Sequence, residues 1–208
     1  MTMSRCCWKL TDEDYEFIKG EVTNIFVRYK IKCIPISGFE IASKIGITMI
    51  PYSSLSERRL ECAMKTSEDG FFLENNGQEY IYYNDIRKYA RLNWTILHEI
   101  GHIVLDHTGH GEREEAEADF FAKYAIAPPI FIYKIKAKSV KDIYDAFDIS
   151  LEAAFYAFEY YQKWLHRHMA GNQFTRYEKD LMLLYEENSQ IQAVWTDPNH
   201  EGSDAICK

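Results

Sequence analysis

The stretch WTILHEIGHIVL, Trp94 to Leu105, sets three ionisable side chains, His98, Glu99 and His102, in an otherwise apolar run. The apolar period here is helical, so the run predicts a buried helix. Buried polar side chains must find partners, because leaving them unpaired costs a large part of a domain's stability. The fold must therefore bring a second element with polar groups of its own against this helix.

Residues four apart on a helix share a face, so His98 and His102 can reach one ion. Glu99 sits beside that face and can take a proton from the water such an ion activates. A catalytic zinc needs a third protein ligand and an open fourth position. His107 and His110 follow at once. A third histidine continuing the motif would, however, need Gly at 105 and His at 108, where the chain has Leu105 and Thr108. The acidic run from Glu112 to Asp119 is the next source. Within it Glu115 and Asp119 share a face. Ala118 and Ala122 are small enough to let this helix approach the first, and Phe120, Phe121 and Ala125 supply apolar contact. Glu115 is the expected third ligand, with Glu114 and Asp119 as alternatives. Asp119 is expected to accept the N–H of a ligating His and so fix its tautomer. Glu112, Glu114 and Glu117 read as a solvated charged face. His107, His110 and Tyr124 are candidate donors to an oxyanion.

Around this pair the chain reads as helices at both ends with strands between. Thr11 and Asp12 can cap a helix carrying Ile18, Val22, Ile25 and Phe26 on one side. A short helix with Ile41, Ala42 and Ile45 ends at Gly46. The run from Ile47 to Tyr52 is a strand, and Ser54 with Glu57 forms a capping box for a helix through Met64. Asn76-Gly77 is the turn of a hairpin spanning Gly70 to Asn84, whose Tyr80–Asn84 strand offers an edge to an extended substrate. The acidic helix runs to Pro128-Pro129. Ser139 with Asp142 caps another helix. Ser150 caps a longer one with Leu151, Ala154, Phe155, Phe158 and Leu165 inward, stopped by Gly171. Thr175 to Glu187 is the last. Strands early and helices late predict an α+β fold with a small antiparallel sheet and a helical C-terminal part.

HEIGH followed by EREEAEADFFAKYAIAP resembles the ImmA/IrrE family of zinc metallopeptidases, whose pattern is HExxH, then a Glu, Ala-Asn or Ala-Asp, Phe-Ala and a Pro. Aligned on Ala118-Asp119 and Pro128, the resemblance puts Glu115 at the third-ligand position. CIPISGFEIASKIGITMIPYSSLS, GFF…EYIYYND and DIYDAFDISLEAAFYAFEYYQKW are similar to the family's flanking segments. The chain departs from the pattern at Leu92-Asn93-Trp94-Thr95 and at Ala125-Ile126-Ala127-Pro128. The resemblance, over roughly residues 12–165, implies a zincin-like metallopeptidase core, taken as 10–132, with a helical extension packed on it over 133–190. The segment 191–208, whose end carries Pro, Asn, Gly, Ser and charge, reads as a flexible tail. It also implies Zn²⁺ held by His98, His102 and Glu115, with Glu99 catalytic, as in gluzincins. The partner implied is a protein substrate, a helix-turn-helix repressor encoded nearby on a mobile element.

Composition bears on the alternatives. Hydrophobic residues make up 47% of the 208, enough for a core, which excludes a mainly disordered chain. A net charge of -8 without a basic block excludes the usual footprint of a nucleic-acid or anionic-membrane binder. The five cysteines, Cys6, Cys7, Cys33, Cys62 and Cys207, form no CxxC pair and fit a reducing compartment. MTMSRCCWKL has no apolar signal core, and no stretch reaches the ~20 apolar residues of a membrane helix. The expected location is the cytoplasm. The competing expectation is a non-catalytic zinc-containing module that grips a repressor or toxin-system partner. Glu99 and an open ligand position argue for the enzyme.

Overall fold

The structure is a computed structural model that describes residues 8–109, 111–169, 171 and 173–195. His110, Cys6, Cys7, Cys207 and the tail from 196 lie outside the described residues. The elements in order are α1 (Asp12–Tyr29), α2 (Gly38–Ile45), β1 (Thr48–Pro51), α3 (Glu57–Thr66), β2 (Gly70–Asn75) and β3 (Gln78–Tyr83). Helices follow: α4 (Tyr89–Val104), α5 (Glu112–Ile126), α6 (Pro129–Lys134), α7 (Val140–Phe147), α8 (Leu151–Met169) and α9 (Arg176–Trp195). The fold is mixed α and β, mostly helical. No described helix is long and apolar enough to cross a membrane.

Local chemistry sets most boundaries. Thr11 accepts from the Asp14 backbone N–H while the Asp14 carboxylate accepts from the Thr11 N–H, a reciprocal cap that starts α1. Ser139 and Asp142 repeat the device at α7. Asn76 and Gly77 both take left-handed backbone angles, φ 53 and 74, as a two-residue hairpin turn demands. Ser54 departs from expectation. Its hydroxyl donates to the Pro51 carbonyl, and α3 begins only after Ser56, without a side-chain cap.

The sheet corrects the expected wholly antiparallel arrangement. β2 and β3 form the antiparallel hairpin, but β3 also pairs in parallel with β1, in the order β1-β3-β2. Pro51 at the end of β1 and Gly70 at the start of β2 both stand opposite Tyr83, so α3 connects them without leaving that end of the sheet. The returning strand then inserts between them and runs parallel to β1. β3 is therefore central, and Tyr80–Asn84 offers no edge; β2 is the outer strand on the side of α4.

α4 lies at the middle of the molecule, packed against the sheet, α2 and α5. Ile96, Leu97 and Ile100 are fully buried, and Asn93 ties α4 to the start of α2 by accepting from Gly38 N–H and donating to Ile36 O. α5 packs on α4 through Ala118, Phe121 and Ala122, all buried. A methyl group added at Gly101 would lie 3.1 Å from Phe121 Cβ and 3.2 Å from Ala118 Cα. Gly101 thus sets how closely α4 and α5 approach. Gly101→Val is expected to destabilise the fold by about 1–3 kcal/mol through overpacking, read by urea unfolding.

α1 and the C-terminal helices cover the outer face of α5 and α6. The acidic helix stops at Ile126, just before Pro128-Pro129 as expected, and Pro129 then takes the first position of α6, where a missing N–H costs nothing. That short helix straddles the expected boundary at 132/133, and one continuous apolar core runs from Leu10 to Leu184. On α8, Ala154 is buried as expected, but Leu151 and Phe155 are 64% and 50% exposed. Tyr161 takes the inward place instead. α9 extends past the expected end at Glu187 to Trp195.

Candidate metal centre

Glu99 and His102 are buried on α4, with His98 at the rim of the same face. The His98 and His102 Nε2 atoms lie 3.1 Å apart. α5 brings Glu115 to them, its two carboxylate oxygens 3.4 Å from His98 Nε2 and 3.5 Å from His102 Nε2. The three side chains each present one donor atom within 4.8 Å of the others. Asp119, one turn further on α5, places Oδ1 3.1 Å from His98 Nδ1. The Phe72 ring on β2 stacks on His102 with centroids 5.6 Å apart.

These donors fit a metal ion. The observed separations of 3.1, 3.4 and 3.5 Å are close to the roughly 3.3 Å edge of a tetrahedron with bonds of ~2.0–2.1 Å. Asp119 beside Nδ1 of His98 favours a proton there, which leaves Nε2 as a lone-pair donor. The cluster is compatible with a metal ion.

Electrostatics in the cluster follow from burial and crowding. Burial disfavours the charged form of His98, but the Asp119 and Glu115 carboxylates outweigh it and raise the imidazole to about 9. Burial pushes Glu99 up to about 7, against the pull of His98 and of the Phe72 N–H. That N–H donates to Glu99 Oε2 at 3.0 Å, so β2 fixes where the carboxylate points.

Of the other sequence candidates, the Glu114 carboxylate lies against Gly111 at the start of α5, away from the donors. Glu112 is exposed. Tyr124 is buried on the opposite face of α5 from Glu115, with Phe120, Tyr160 and Tyr177 as neighbours, and its hydroxyl titrates well above its ordinary range because of that burial. It does not reach the cluster. Glu117 is not part of a solvated face. Its side chain is only 15% exposed, and its Oε2 lies 2.9 Å from His107 Nε2. The His107 side chain is itself shielded from solvent and puts Nδ1 2.9 Å from His102 Nδ1. Neither contact was read from the sequence. The signal available was Asp106, a residue type that tolerates the left-handed turn returning His107 to the helix end.

No curated protein matches the chain. Residues 48–128, which run from β1 to the end of the α5 segment and carry every donor of the cluster, match the family Peptidase U49. The elements that build this centre are thus similar to a peptidase family, and the match supports a proteolytic function.

Proposed function

We propose that the chain is a zinc-dependent endopeptidase in which His98, His102 and Glu115 hold the ion, Asp119 orients His98, and Glu99 is the general base. The observation that carries this reading is the convergence of three donor atoms from α4 and α5 with Glu99 beside them. When bound, zinc supplies Lewis-acid activation of water and of the peptide carbonyl. Everything else falls to the chain. Glu99, held by the Phe72 N–H and raised to about 7, has a proton affinity matched to neutral pH. It accepts the proton of the attacking water and returns it to the leaving nitrogen. The Asp119 carboxylate keeps the His98 proton on Nδ1, so that Nε2 faces Glu115 as a donor. β2 lies at the sheet edge beside α4, where an extended peptide can pair with it.

In this reading residues 10–132 form the metallopeptidase core and 133–190 a helical extension that packs on it. The resemblance to ImmA/IrrE sequences supports a regulatory protein, a helix-turn-helix repressor, as the substrate. The test uses purified full-length chain and the repressor encoded beside it. Zinc-dependent cleavage, abolished by a chelator and restored by added zinc, is expected. A repressor left intact in the presence of zinc would overturn the substrate assignment, and cleavage that survives complete metal removal would overturn the zinc reading.

A further inference from the structure

The second ligand histidine has a partner that the motif does not contain. After α4 the chain reverses through Asp106, whose φ is 55, and the His107 N–H donates to the His102 carbonyl at 3.0 Å. This turn folds His107 back onto the ligand it follows by five positions. The two rings meet edge to face, with centroids 5.0 Å apart and Nδ1 atoms at 2.9 Å. Beyond His107 the contacts continue outward. His107 Nε2 lies 2.9 Å from Glu117 Oε2, and Glu117 Oε1 accepts from Arg113 Nε at 2.8 Å. Arg113 also donates to Asp14 at 3.1 Å, the same carboxylate that caps α1. The inner side chains are shielded, that of His107 6% and that of Glu117 15% exposed.

Two imidazole nitrogens at 2.9 Å share one proton, and its owner decides what His102 can do. With the proton on His102 Nδ1, Nε2 keeps a lone pair toward His98 and Glu115. With it on His107 Nδ1, a neutral His102 carries its proton on Nε2 and cannot bind an ion. The carboxylate of Glu117, acceptor-only and fixed by Arg113, favours a proton on His107 Nε2. A neutral His107 protonated there offers Nδ1 as an acceptor. We propose that His107 and Glu117 are positioning residues that hold His102 in its ligand-competent tautomer, a role that rests on the zinc reading above. Asp119 does this directly for His98; on the His102 side the carboxylate acts through a second imidazole.

The experiment measures zinc affinity of the purified full-length chain by chelator competition, together with the imidazole ¹⁵N shifts of His102 in the metal-free protein. His107→Phe keeps ring volume but removes the acceptor, and Glu117→Gln removes the charge at nearly constant shape. Each is expected to weaken zinc binding by about 10–100-fold and to shift His102 away from the Nδ1-protonated form. His107→Asn, whose side-chain oxygen can stand in for Nδ1, is expected to restore affinity to within a few-fold of wild type. A role in folding alone would leave the tautomer unchanged. Should His107→Phe fail to fold, Glu117→Gln carries the test. Wild-type affinity in both variants, alongside lost binding in His98→Ala, would overturn this proposal and leave the zinc reading standing. Full zinc binding by His98→Ala would overturn the zinc reading, and the proposal with it.

Discussion

Glu99→Gln is expected to keep the fold and bind zinc as wild type does, yet lose proteolysis by at least ~10²–10⁴-fold, the share general-base catalysis commonly supplies. Glu99 is 7% exposed, and burial has already raised its carboxyl to about 7, so a neutral amide in its place carries no new desolvation cost. The amide oxygen can still accept the Phe72 N–H that now meets Glu99 Oε2 at 3.0 Å, so the position on β2 is kept. What the amide cannot do is take up a proton. Zinc content, unfolding temperature and repressor cleavage are measured in parallel on wild type and mutant, with repressor capture as a fourth reading. The variant should still capture the repressor, because contacts along the cleft and β2 are unchanged. If wild type captures the repressor without cutting it, or if the mutant cuts as fast as wild type, Glu99 is not the base. A binding module would then describe the protein better.

What could be read from the residues alone was mostly what is local in the chain. The Thr11–Asp14 and Ser139–Asp142 caps and the Asn76-Gly77 turn are satisfied within a few residues, so their pattern specifies their geometry. Helical facing likewise carried Glu115 and Asp119 to the side of α5 that meets α4. Strand order is different in kind. Nothing within β1 states whether β2 or β3 will lie beside it, and the parallel pairing follows from where α3 ends. α8 shows the same limit. Aromatic residues surround most of that helix, so periodicity could not say which of them α6 and α7 would cover, and Phe155 went to solvent while Tyr161 went in. Glu117 was misread for a related reason. In a run of acids every side chain has the same composition cue, and only the return of His107 through a left-handed Asp106 separates Glu117 from its neighbours.

Removing the donors should grade metal affinity by their distance from the point of convergence. The His98→Ala, His102→Ala double variant is expected to lose zinc altogether, since it removes two of the three donors that lie within 4.8 Å of one another. Glu115→Ala should lose more than the ~10–100-fold typical of outer positions, because both of its oxygens face ligand nitrogens, at 3.4 and 3.5 Å. Asp119→Asn, 3.1 Å from His98 Nδ1 but on the far side of the ring, should stay within that ~10–100-fold range. Glu112→Ala and Glu114→Ala should change affinity little, the first being exposed and the second turned back on Gly111. Equilibrium competition with a chromogenic chelator gives all of these on one scale, and circular dichroism confirms that each variant is folded. A large loss in Glu114→Ala with none in Glu115→Ala would mean that α5 meets α4 one residue out of the register described. Full zinc retention by the double histidine variant would remove the metal from this site, and with it the reason for Glu99 to be buried beside it.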